Sequence, residues 1–60
     1  MRIEKIESDL SQAKDLVQLY TSMGNVYMNI GNREKAYAKR SEALAQQTIV
    51  LQLQALLKVS

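Results

Sequence analysis

The chain has sixty residues, with no cysteine, no histidine and no proline. That composition excludes disulfides, thiolate chemistry and imidazole metal sites, and nothing interrupts a long helix. Eight basic against six acidic side chains leave a formal charge of +2, a mild excess.

A chain this short is one domain, residues 1–60, and it buries a small fraction of its surface. Ordering a chain of this size takes apolar burial on the order of 3,000 Å², at about 25 cal/mol per Å² against about 1.5 kcal/mol per ordered residue. Small scaffolds reach that with disulfides, a metal or self-association. Without cysteine or histidine, association with another chain is the route left. Leu, Ala, Gln, Glu and Lys dominate, and all favour helix.

Charge falls into blocks. Residues 1–15 carry three basic and four acidic side chains, 16–32 carry none, 33–42 carry four and two, and 43–57 carry none. Arg2, Glu4, Lys5 and Glu7 stand where a leader would be apolar, so the expected compartment is the cytoplasm. The uncharged stretches are broken by Gln18, Asn25 and Asn29, and by Gln46, Gln47 and Gln52, so no membrane span is expected.

In the first half, Ile3, Ile6, Leu10, Ala13, Val17, Tyr20, Gly24 and Tyr27 alternate steps of three and four. That spacing turns one helical face toward a partner helix. A second stripe, Leu16, Leu19, Met23, Val26 and Ile30, has the same alternation one residue out of phase. From Leu16 onward this helix has more apolar surface than one neighbour covers.

Gly-Asn occurs at Gly24-Asn25 and at Gly31-Asn32. Glycine closes a helix and asparagine caps the next, so either pair can form a turn. The heptad runs through Gly24 without a phase change, and Glu34 falls in the first turn of a helix starting after Asn32, where the dipole favours it. The turn is therefore placed at Gly31-Asn32, and close backbone approach is expected to explain Gly24.

In the second half, the pairs Ala36/Tyr37, Ala43/Leu44 and Val50/Leu51 recur every seven residues, ending at Leu57. From Ile49 onward apolar side chains fall on almost every side, which in so short a chain demands a second one. Strand competes with helix for residues 48–53, and the Ala, Gln and Leu on either side favour helix. Arg40, Gln47 and Gln54 form a further seven-residue series, either buried polar layers that fix register or side chains turned outward.

The fold expected is all-α: an antiparallel two-helix hairpin, helices about 3–30 and 33–58, dimerising into a four-helix bundle. Folding at Gly31-Asn32 sets Tyr27 opposite Ala36, Tyr20 opposite Ala43, Ala13 opposite Val50, Leu10 opposite Leu53 and Ile6 opposite Leu57. Gly24 falls opposite Lys39 and Arg40.

Tyr20, Met23-Gly24, Tyr27, Gly31, Ala36, Arg40 and Ala43 resemble the pattern of a single tetratricopeptide repeat. The resemblance covers residues 20–44 and implies hairpin packing and a protein–protein role. Arg40 stands where that pattern wants a large apolar residue, Thr48 where proline often ends the repeat, and there is no second copy.

No catalytic constellation is visible. The six carboxylates are scattered, none is paired in an apolar setting, and no phosphate loop, zinc motif or calcium loop occurs. No enzyme activity, cofactor, metal or small-molecule substrate is expected. The expected function is a small interaction or regulatory protein acting as a hairpin homodimer, of the kind found among bacterial and phage regulators, that also binds another protein. Its interface is read as Leu16, Leu19, Met23, Val26, Ile30, Leu44, Leu51 and Leu56. Two alternatives stand beside it. One is a dimeric nucleic-acid binder using Arg33, Lys35, Lys39 and Arg40, whose affinity would fall with salt. The other is a chaperone or assembly subunit that folds with a dissimilar partner.

Overall fold

Two proline-free runs of helix formers meet at one glycine-asparagine step, and the chain turns there. A computed structural model describes residues 3–59 as two α-helices, α1 (Ile3–Asn29) and α2 (Arg33–Lys58). Arg2, one of the N-terminal charges read from the sequence, lies outside the described residues. The helices pack antiparallel as a single layer, 44 × 14 × 12 Å. With two helices and no third element, each helix has a single neighbour, so neither broad flank is covered by this chain.

The turn is chemically complete. Gly31 has φ 83°, a conformation that costs an L-residue about 1–2 kcal/mol. It lets the Gly31 N–H donate to Met28 O at 3.1 Å and the Asn32 N–H to Tyr27 O at 2.8 Å. These two bonds occupy the Met28 and Tyr27 carbonyls in the last turn of α1. Asn32 then caps α2: its Oδ1 accepts from the Lys35 N–H at 3.2 Å, and its carbonyl accepts the first helical bond, from Ala36, at 3.1 Å. We expect Gly31→Ala to cost about 1–2 kcal/mol and Asn32→Ala about 1 kcal/mol in urea unfolding. A Gly31→Ala variant with unchanged stability would mean the chain turns some other way.

The internal seam is narrow. Ile6, Leu10, Ala13, Ala36, Ala43 and Val50 are the buried apolar side chains, and Gly24 is buried with them. Leu10, Ala13 and Val50 form the centre, with Val17, Leu53 and Leu57 packed around it. Near the turn the helices come close enough that a Cβ on Gly24 would sit 3.4 Å from Ala36 O, 3.5 Å from Arg40 Cγ and 3.7 Å from Lys39 Cβ. Gly24 thus faces the pair expected opposite it, and Ala36 is fully buried there. Ile3, the first residue of the predicted heptad, is instead 48% exposed. It sits at the open end of the hairpin, beyond the last turn of α2 able to cover it.

Residues 48–53 are helical, so the competing strand does not form. Among the described residues no helix is long and apolar enough to cross a membrane.

Candidate interaction surfaces

The pairs in the second half of the sequence are split by helical geometry. Adjacent residues lie 100° apart, so Ala36, Ala43 and Val50 enter the seam while Tyr37, Leu44 and Leu51 point to one flank. The same rule divides α1: Val17 borders the seam on that flank, and Leu16 turns to the other.

On the flank of Leu16, the predicted stripe is continuous along α1. Leu16 lines a groove with Gln46, Ile49 and Leu53 of α2. Met23 and Val26 line an apolar recess next to Ser22 and Tyr27. Leu19 is 51% exposed, Val26 58% and Ile30 69%. On α2, Ile49 and Leu56 belong to this flank, one above the other at a seven-residue spacing. Because the helices run in opposite directions, the apolar surface crosses the flank diagonally. It follows α1 from Ile30 to Leu16 and passes to α2 at Ile49, toward Leu56.

Leu44 and Leu51 are not beside this stripe. Leu44 lines a groove on the other flank with Val17, Thr21, Arg40 and Gln47, and Leu51 follows it one heptad on. The eight apolar residues read as one interface therefore form two surfaces. Tyr37, exposed and in line with Leu44 and Leu51, was absent from that reading, as was Ile49. The signal for both was present in the seven-residue recurrences and needed only the 100° rule to sort inward from outward.

The basic residues at the start of α2 are divided the same way. Lys39 Nζ lies 5.6 Å from the centre of the Tyr20 ring, and Lys35 Nζ 5.7 Å from that of Tyr27. These ammonium groups sit against the ring faces, where the quadrupole attracts them, and their stems cover half-buried tyrosine. Lys39 also pairs with Glu42 at 3.4 Å. Arg33 and Arg40 face the opposite flank and make no ion pair among the described residues. The four cations therefore do not form a single patch. Arg40 and Gln47 are exposed and Gln54 half-buried, so the polar series is not buried within the hairpin.

Among the described residues no three His, Cys, Asp or Glu side chains cluster as metal ligands would. Comparison of the chain with protein-family models, with curated proteins and with solved structures gives no match. Of the resemblance to a tetratricopeptide repeat, the structure shows the two-helix antiparallel hairpin. The two helices, of 27 and 26 residues, are matched in length.

Proposed function

We propose that this protein is a non-enzymatic helical-hairpin module that acts by helix-to-helix association, first with a second copy of itself. The diagonal stripe of Leu16, Leu19, Met23, Val26, Ile30 and Ile49 supplies the docking face. The observation that carries this reading is the exposed area. A compact monomer of 6.8 kDa exposes about 3,950 Å², whereas this chain exposes 4624 Å². The excess is close to the ~800 Å² that each partner buries in an interface of standard size. Closed two-fold dimers are the commonest way to cover such a surface. Two single-layer hairpins stacked on this flank make a four-helix bundle.

Self-association also meets the stability requirement. The hairpin has six buried apolar side chains, three of them alanine. A core that thin leaves little surplus over chain entropy, and burying Leu19, Val26 and Ile30 adds roughly 1.5–3 kcal/mol for each side chain fully covered. Light scattering of the purified chain tests the reading. Twice the 6.8 kDa chain mass is the expected result, and a folded monomer at micromolar concentration refutes it.

A further inference from the structure

We draw no further inference here: the strongest candidate, the exposed apolar flank of Tyr37, Leu44 and Leu51 on α2, carries Glu34, Glu7 and Asp15 as well as Arg33 and Arg40, so its mixed charge selects no occupant and nothing in the structure shows what covers it.

Discussion

Leu19→Asp combined with Val26→Asp is expected to weaken self-association by about a thousandfold or more. Each aspartate would have to enter an apolar interface without a partner, and an unpaired buried polar group costs at least about 1–3 kcal/mol, more when charged. The choice of residues separates association from folding within one hairpin. Both side chains lie on the outer part of the stripe, away from the seam of Leu10, Ala13 and Val50. Surface substitutions at such positions usually stay within about 0.5 kcal/mol for the isolated fold. Sedimentation and circular dichroism read the two quantities separately. The mass should fall to that of one chain, and any loss of helix should be reversed by osmolyte, because the hairpin contacts are untouched. A variant that keeps the dimer mass would place the self-interface elsewhere.

Gly24→Leu is expected to part the helices near the turn. The Cβ direction at Gly24 is occupied by Ala36 O at 3.4 Å, and the nearest side-chain atoms are Arg40 Cγ and Lys39 Cβ. Backbone cannot yield as a side chain can, so the four added carbons have to move α2. Overpacking of this kind costs roughly 1–3 kcal/mol. A domain of this size has about 3–9 kcal/mol to lose, at roughly 0.05–0.15 kcal/mol per residue. Gly24→Ala reverses the sign. A Cβ at 3.4 Å is an ordinary contact, and alanine is favoured over glycine within a helix by about 1 kcal/mol. The Ala variant should therefore match or exceed the parent by up to about 1 kcal/mol in urea unfolding. Equal stability of the Leu and Ala variants would mean that the helices do not approach closely at Gly24.

The hairpin could be read from residue spacing because its determinants are local. Gly31 takes the positive φ, Asn32 caps the next helix, and the absence of proline leaves everything else helical. The seam was readable for a related reason: it is a single strip per helix, and a strip shows as a seven-residue period. Ile6, Leu10, Ala13, Ala36, Ala43 and Val50 are all buried where that period placed them. Gly24 required more, since its burial depends on what the other helix brings, and the antiparallel register supplied Lys39 and Arg40.

The interaction surfaces were less legible. A period says which residues share a face of one helix, but not which faces of two helices end on the same side. Leu44 and Leu51 were grouped with Leu19 and Val26 because all are apolar and surplus to the seam. Only the sense in which α2 is rotated about its axis puts them on opposite flanks. The basic residues follow the same logic. Lys35 and Lys39 cover Tyr27 and Tyr20, while Arg33 and Arg40 look the other way. Two residues apart in sequence is 200° around the helix, so a run of cations in sequence is not a patch in space.

The most direct test of self-association is the mass of the unmodified chain in sedimentation equilibrium over a range of concentrations. The account predicts a species of twice 6.8 kDa that dissociates only on dilution, with helix content falling as it does. A single helical species of 6.8 kDa at every concentration would contradict it.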